Sequence, residues 1–361
     1  MLVNSSFKSI KKLPKILLYA LVVLIRLTVF VYIVLHSSVV QTYLVGKIAD
    51  YFSEKLNARV EVKKIGFIPF NSLYLSDLYI EDQHGDTLLF VNELEVLVDE
   101  FSFEEQRLVL ETVRLNNVCG KMNSDTAGVF NFQFLLDEFA SEERTDTIES
   151  TKWDIDVQQL VVDNLSFTFY KNELEQADSI GKSYGINFND LRLDKTNFIL
   201  SDIQIGDTLG AKIEHLSTSE KSGFVLRNLT AKALFSKTGI ALNNLELLAG
   251  RTLIKTDSLG FGYKDYGDFS DFVSRVKIKT KIDSGLIHSA DLAYFVPQLY
   301  GLNQSIVISG TFKGKVSRLK MRSVNILYGK NTLISGNFSI DGLHNFRQTF
   351  LHLDLKNFIS T

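Results

Sequence analysis

The chain has 361 residues and a formal net charge of −3, with 39 basic and 42 acidic side chains mixed along its length. This balance lacks the basic surface that nucleic-acid binding requires, so we expect no nucleic-acid partner. With 27 Phe and 13 Tyr against three Pro, the composition favours extended, packed structure over a disordered tether. The single cysteine, Cys119, excludes an intramolecular disulfide and any multi-cysteine metal site.

The first predicted element is the apolar segment 16–35 (ILLYALVVLIRLTVFVYIVL), which contains one charge, Arg26. A helix of this length matches the roughly 30 Å hydrocarbon core of a bilayer, so residues 1–36 are predicted to form a cytoplasmic tail and a transmembrane anchor. Arg26 either contacts a partner helix or extends its side chain to the bilayer surface. A cleaved signal peptide is the alternative, although its apolar core would be shorter. The positive-inside rule puts the N-terminus in the cytoplasm, because basic residues precede the segment: Lys8, Lys11, Lys12 and Lys15.

An amphipathic helix is predicted next, at residues 37–58. Its apolar side chains recur at every fourth position and charged residues lie between them. The apolar stripe either caps a protein core or lies on the bilayer surface, and capping is the simpler interpretation. The stripe consists of Val40, Leu44, Ile48, Phe52 and Leu56.

From residue 59 the apolar period changes from 3.6 to 2, which predicts a mainly β structure with few short helices. One eight-residue pattern recurs: apolar, any, apolar, any, Asn or Asp, apolar, any, apolar. The odd step from the third to the sixth position would reverse the face in a straight strand, so we predict a bulge or corner at the fifth position. All four apolar positions then share one face. Copies lie at 73–80, 160–167, 224–231 and 240–247, with degraded copies at 113–120 and 191–198.

The apolar positions of these copies are the candidate site residues. Their irregular spacing favours antiparallel hairpins over a β-helix, whose repeat would have a fixed period. They are Leu73, Leu75, Leu78, Ile80, Val113, Leu115, Leu160, Val162, Leu165, Phe167, Leu191, Leu193, Phe224, Leu226, Leu229, Ile240, Leu242, Leu245 and Leu247.

The β region is predicted to have a first segment at 59–140, a polar loop or boundary at 141–151 (SEERTDTIEST) and further repeats at 152–361. Short helices are expected at 132–139 and 290–300, and Pro297 would end or kink the second. The pattern stops without a cap, so we expect the natural protein to continue beyond residue 361.

The sequence contains no hydrolase, zinc-protease, phosphate-loop or dinucleotide motif, and its six histidines are scattered. We therefore expect no enzyme activity, no metal and no cofactor, although a catalytic triad assembled by the fold stays open. Gly85 and Gly206 mark turns, and Asp86 and Asp207 are interpreted as turn residues rather than calcium ligands.

After the anchor and amphipathic helix, residues 56–96 (LNARVEVKKIGFIPFNSLYLSDLYIEDQHGDTLLFVNELEV) resemble the start of the AsmA-like/TamB family of Gram-negative envelope proteins, with Bacteroidetes-type members closest. Residues 153–170 and 308–343 resemble later repeats of that family, and the C-terminal domain that defines TamB is not visible. The resemblance implies an elongated, open, incompletely closed antiparallel β-barrel, a "β-taco", whose apolar groove is lined by the pattern residues. It also implies a single-pass inner-membrane protein with its bulk in the periplasm.

Three function hypotheses follow. The resemblance implies non-catalytic, bridge-like transfer of phospholipid between the inner and outer membranes, and acyl chains would satisfy an open sheet that has one apolar face to bury. The alternative is a scaffold for outer-membrane protein assembly that partners an outer-membrane barrel protein. The third is a membrane-anchored carbohydrate-binding β-sandwich with exposed aromatic side chains on one sheet.

Overall fold

The computed structural model describes residues 13–35, 37–68, 72–124, 129–135, 154–171, 184–204, 208–329, 331–342 and 348–360. Two helices come first, α1 at Leu13–Leu35 and α2 at Ser38–Leu56. The Ser37 side chain accepts a hydrogen bond from the Val40 amide at the start of α2, and Asn57 ends α2 in the left-handed conformation, with φ 46°. Both N-terminal helices predicted from the sequence are confirmed as helices.

The membrane anchor is only weakly suggested. In the described part of the chain, no single helix is long and apolar enough to cross a membrane. Leu18–Val34 and Val39–Leu56 meet the criteria of length and composition only as a pair, and this pair is bent by 62°. Arg26 is exposed on α1.

The rest of the structure is a single open sheet of 16 strands. Apolar and β-branched residues at alternate positions produce these strands, as predicted. The strands are β1 (Val60–Glu61), β2 (Lys64–Ile68), β3 (Ser72–Glu81), β4 (Thr87–Ser102), β5 (Arg107–Ser124), β6 (Asp154–Lys171), β7 (Asp190–Gln204), β8 (Leu209–Glu220), β9 (Val225–Ser236), β10 (Gly239–Ala249), β11 (Thr252–Gly262), β12 (Lys277–His288), β13 (Ser305–Lys315), β14 (Arg318–Tyr328), β15 (Thr332–Asp341) and β16 (Phe350–Ile359).

From β3 onward, the spatial order of the strands is their order in the sequence. Both β1 and β2 pair with β3, and α2 packs against these two short strands. Leu56 of α2 is buried there, and the Val60 amide donates to the Ser53 hydroxyl at 2.9 Å, so the capping interpretation of the amphipathic helix is supported. The strands form one sheet rather than two stacked sheets, which argues against the β-sandwich hypothesis.

One strand pair corrects the prediction of a wholly antiparallel sheet. Strands β5 and β6 are parallel, with Val113 opposite Leu160 and Val118 opposite Leu165, whereas every other neighbouring pair is antiparallel. A parallel pair needs a long crossover, and residues 125–153 supply one. The predicted boundary loop 141–151 lies in this crossover, outside the described residues. The sheet is continuous on either side of it.

The predicted short helices are shorter than expected. Residues 133–135 form a helical turn, whereas 136–139 lie outside the described residues. In place of one helix at 290–300, α4 (Ser289–Leu292) is followed by a 3₁₀ turn, Pro297–Leu299, because proline starts a helical turn but cannot continue one. A 3₁₀ turn (Tyr266–Asp271) and α3 (Phe272–Arg275) join β11 to β12. Gly85 lies in a turn with φ 83°, as predicted, whereas Gly206 and Asp207 are outside the described residues.

Candidate functional site

The candidate site is the face of the sheet on which the pattern residues lie, here called the apolar face. Across β3 to β7, strand pairing places these residues in rows, since directly paired residues share a face. Two rows lie on one side of the pattern's fifth position: Leu73–Val96–Val113–Leu160–Leu200 and Leu75–Leu94–Leu115–Val162–Phe198. Two lie on the other side: Leu78–Val91–Val118–Leu165 and Ile80–Leu89–Gly120–Phe167–Leu193. Leu191 on β7 pairs with Phe169 on β6, and this pair adds one more apolar step beyond Phe167 and Leu193.

The predicted corners explain how one face stays apolar. Five of the six pattern copies have a left-handed residue at the fifth position, with φ between 51° and 56°: Asp77, Asn117, Asn164, Lys195 and Asn244. Asn and Asp tolerate this conformation, and the corner restores the side chains beyond it to the original face. The prediction of a corner at the fifth position is therefore confirmed for these copies.

The sixth copy, 224–231, reaches the same result differently. Asn228 has no positive φ, but the pairing register shifts beside it, with Asn228 opposite Leu248 and Leu226 opposite Ala249. Arg227 is therefore the extra residue of a bulge. The Asn228 side chain bonds His215 Nδ1 at 2.7 Å on the neighbouring strand.

Polar side chains at the corners bond to one another. The side-chain amide of Asn92 donates a hydrogen bond to Asp77 Oδ1 at 2.9 Å, and Lys63 Nζ lies 3.1 Å from Asp77 Oδ2. The hydrogen bond from Asn92 and the bond and charge of Lys63 lower the pKa of Asp77 below its usual 3.8. Further along, the Asn164 backbone amide donates to Asn197 Oδ1 at 2.9 Å. These bonds hold the corners of adjacent strands in register.

The first apolar cluster occupies the middle of these rows. Val91 is completely buried and forms a cluster with Val118 and Val162, and half-buried candidate residues pack around these three. Burial of such side chains contributes about 1.5–3 kcal/mol each. The packed candidates are Leu78, Leu115, Leu160 and Leu165, together with Leu89, Leu94 and Phe198.

The candidates of β9 and β10 also share the apolar face. Leu229 pairs with Leu247, and Leu242 and Ile240 pair with Ala233 and Phe235. Leu245 and Leu226 are buried, and the others are half-buried.

Phe224 is the exception among the candidates. Its ring contacts Tyr294 and Phe295 of the β12–β13 connection, with centroid distances of 5.7 and 5.3 Å. This residue is therefore covered by a loop of the chain and does not line an open part of the face.

A second apolar cluster was missed by the sequence analysis. Ile308, Val324 and Phe338 are buried on β13, β14 and β15, and Ile287, Phe312, Met321, Ile326 and Ile334 pack around them. Strand β14 carries a seventh copy of the pattern at 319–326 (LKMRSVNI), with Ser323 at the corner position and φ 49°. The pattern identifies this copy if Ser is accepted at the fifth position as well as Asn and Asp.

A cavity of about 530 Å³ lies where the β11–β12 connection approaches the ends of β5 and β6. The Ser124 hydroxyl in its wall is buried and makes no hydrogen bond to the described residues. Five phenylalanines line it, with two basic residues at the wall: Phe130, Phe169, Phe188, Phe269, Phe272, Lys171 and Arg275. The apolar face thus continues into a partly enclosed aromatic space.

The chain matches no protein-family model, and no curated protein is significantly similar to it in sequence. Its chemistry must therefore be inferred from its own residues. Within the described ranges, no three His, Cys, Asp or Glu side chains are grouped so that they could hold a metal ion.

Proposed function

We propose that the protein is a non-catalytic lipid carrier whose apolar face forms a groove for the acyl chains of phospholipids. The observation that carries this proposal is the apolar face itself. Its rows of Leu, Val, Ile and Phe cross strand after strand of an open sheet. Between β4 and β10, each strand contacts mainly its paired neighbours, and the pattern residues on this face are buried or half-buried.

An apolar sheet face is unstable in water and needs a second layer over those side chains that stay partly exposed. Acyl chains supply such a layer without directional bonds, because burial of each methylene group is favourable by about 0.8 kcal/mol. The same rows then accept successive lipids, since no row demands a particular polar contact. This supports transport along the groove over retention of one ligand.

The cellular setting is part of the proposal. We propose that α1 anchors the chain in the inner membrane, that the sheet lies in the periplasm, and that the protein belongs to the AsmA-like/TamB family. Lipid would then move between the inner and outer membranes. The apolar composition of α1 and the sequence resemblance of residues 56–96 support this setting.

The proposal is tested by photo-crosslinking in cells that make the full chain. A benzophenone amino acid at Leu242, on the apolar face, is compared with one at Leu234, on the opposite face of neighbouring β9 and 44% exposed. We expect phospholipid adducts, detected by mass spectrometry, at Leu242 and few at Leu234. Equal labelling at both positions, or no lipid at Leu242, would contradict a lipid groove.

The scaffold alternative has one observation in its favour. Strand β16 is exposed along its whole length and carries large apolar side chains, among them Leu353, Leu355 and Phe358. A strand that adds to this edge, from a partner or from a continuation of the chain, would cover it. A benzophenone at Leu353 that yields a protein adduct of one discrete mass, with no lipid at Leu242, would favour the scaffold.

A further inference from the structure

The face of β12, β13 and β14 opposite to the apolar face carries a regular grid of cations. Lys277 pairs with Lys315, and Lys315 with Arg318; the adjacent row is Lys279–Lys313–Lys320, and the next is Lys281–Thr311–Arg322. Because directly paired residues share a face, these side chains project together. We call this set the cationic face: Lys277, Lys279, Lys281, Lys313, Lys315, Arg318, Lys320 and Arg322.

The cationic face is exposed and little neutralised. Every member except the half-buried Lys315 is exposed. Two members have ion pairs, Lys281 with Asp283 at 3.2 Å and Arg318 with Asp341 at 3.1 Å. Both pairs are exposed, so they contribute little. The other six form no ion pair with any described residue.

This concentration is unusual in a chain whose net charge is −3. Like charges directly opposite each other on neighbouring strands destabilise a sheet. The rows therefore lower stability unless an anionic counterpart offsets their repulsion. That cost indicates a role in binding anions.

We propose that the cationic face docks on the surface of a bilayer that contains anionic phospholipid. The rows occupy three strands about 4.8 Å apart, with alternate residues about 7 Å apart along each strand, so the charges form a broad surface. The neighbouring positions on β11 are Gly260 and Gly262, which pair with Lys279 and Lys277, so no side chain projects above the grid there. Six of the eight cations line an open concavity of about 900 Å³, which is far larger than one small anion needs and has room for the headgroups of several lipids.

The residue types favour lipid over nucleic acid. Lysine predominates, and its flexible point charge suits diffuse attraction rather than paired recognition of bases. Single-stranded nucleic acid is bound on aromatic side chains, and the rows of the cationic face contain none. Each Lys or Arg near an anionic bilayer adds to its attraction. This proposal depends on neither the apolar face nor the function proposed for it.

The test uses the full chain, held through α1 in nanodiscs of zwitterionic phosphatidylcholine. The nanodiscs are mixed with separate vesicles, either of phosphatidylcholine alone or with phosphatidylglycerol, and the vesicles are sedimented. The variant Lys279→Gln/Lys313→Gln/Lys320→Gln removes the central row. The control, Lys121→Gln/Lys232→Gln/Lys237→Gln, makes the same charge change at exposed residues elsewhere.

We expect nanodiscs to sediment only with phosphatidylglycerol vesicles, and binding to vanish in about 1 M salt, where the Debye length is about 3 Å. The central-row variant should bind roughly 100-fold more weakly, whereas the control should bind like the original chain. Its melting temperature should not fall, since the change removes repulsion. Equal binding to both vesicle types, undiminished binding by the central-row variant, or binding to a DNA oligonucleotide without binding to vesicles would overturn the proposal.

Discussion

The side-chain amide of Asn164 donates a hydrogen bond to Oδ1 of Asn117 at 2.7 Å, and both residues have left-handed backbone, with φ 56° and 52°. They face each other across β5 and β6, the one parallel pair of the sheet. Two corners are thereby aligned although the strands run in the same direction. The alignment keeps Leu115 beside Val162 and Val118 beside Leu165, so the apolar rows cross this pair without a break.

The corner at Lys195 is predicted to be a site of stored strain. Its φ is 51°, and a lysine has no local side-chain bond to compensate for the left-handed conformation. We expect Lys195→Gly to raise the free energy of unfolding by about 0.5–1 kcal/mol, because glycine adopts this conformation freely. Denaturant unfolding of the full chain measures the change.

The matched control is Lys232→Gly, at an exposed position of β9 that has no positive φ. Here glycine should lower stability by about 0.5–1 kcal/mol, because it only adds freedom to the unfolded chain. If both substitutions change the free energy of unfolding in the same direction, the left-handed conformation of Lys195 does not affect stability.

A buried carboxylate should make stability depend on pH. Asp82 accepts hydrogen bonds from the backbone amides of His84 and Asp86 and from the Asn131 side chain, at 2.9–3.0 Å. Burial acts to raise the pKa of Asp82, but these hydrogen bonds outweigh it, and the pKa lies below its usual 3.8. The contribution of the carboxylate to stability is therefore full above that value and lost as pH falls through the lowered pKa.

We expect Asp82→Asn to lower the free energy of unfolding by about 1–2 kcal/mol at pH 7, with the difference shrinking below pH 4. Thermal unfolding as a function of pH measures it. Asp257→Asn, at an exposed position on β11, should show no such pattern. A difference that is constant down to the most acidic pH would mean that the charge of Asp82 is irrelevant.

The two apolar clusters should be energetically separate. Strands contact mainly their immediate neighbours, and β8–β11 lie between the Val91 and Val324 clusters. We expect Val324→Ala to cost about 2 kcal/mol locally and to speed amide exchange in β13–β15 while β3–β7 stay protected. Val91→Ala should have the reciprocal effect. Exchange that accelerates equally in all strands would instead show one cooperative unit.

The exposed edge of β16 should drive self-association. An apolar edge strand with unpaired backbone groups is a template for pairing with another chain. We expect Leu353→Lys to reduce concentration-dependent dimers of the detergent-solubilised chain, measured by sedimentation velocity. Leu234→Lys, at an exposed position on an interior strand, should leave association unchanged. If both variants associate like the original chain, β16 is not the contact.

Local pattern was enough to predict the corners at Asp77, Asn117, Asn164 and Asn244, because the odd apolar step forces the chain to turn wherever one face is to stay apolar. The amphipathic helix α2 was equally accessible, since its apolar period is regular. Each of these features is encoded within a few consecutive residues.

Long-range features were not accessible in this way. The parallel pairing of β5 and β6 depends on the connection between them. The spacing of apolar residues within each strand does not indicate whether two strands pair in parallel. The cluster around Val324 was hidden because Ser323 replaces Asn or Asp at the corner. Likewise, the cover over Phe224 comes from Tyr294 and Phe295, some 70 positions later in the chain.

The agreement between strand order and chain order also bears on how such a protein changes over evolutionary time. Duplication or deletion of the coding sequence for one interior hairpin would mainly alter contacts with the two strands that flank it, because strands contact chiefly their paired neighbours. Each event would lengthen or shorten the sheet by about 10 Å, twice the spacing between strands. The reach of the molecule is therefore a trait that natural selection can adjust in small, independent steps.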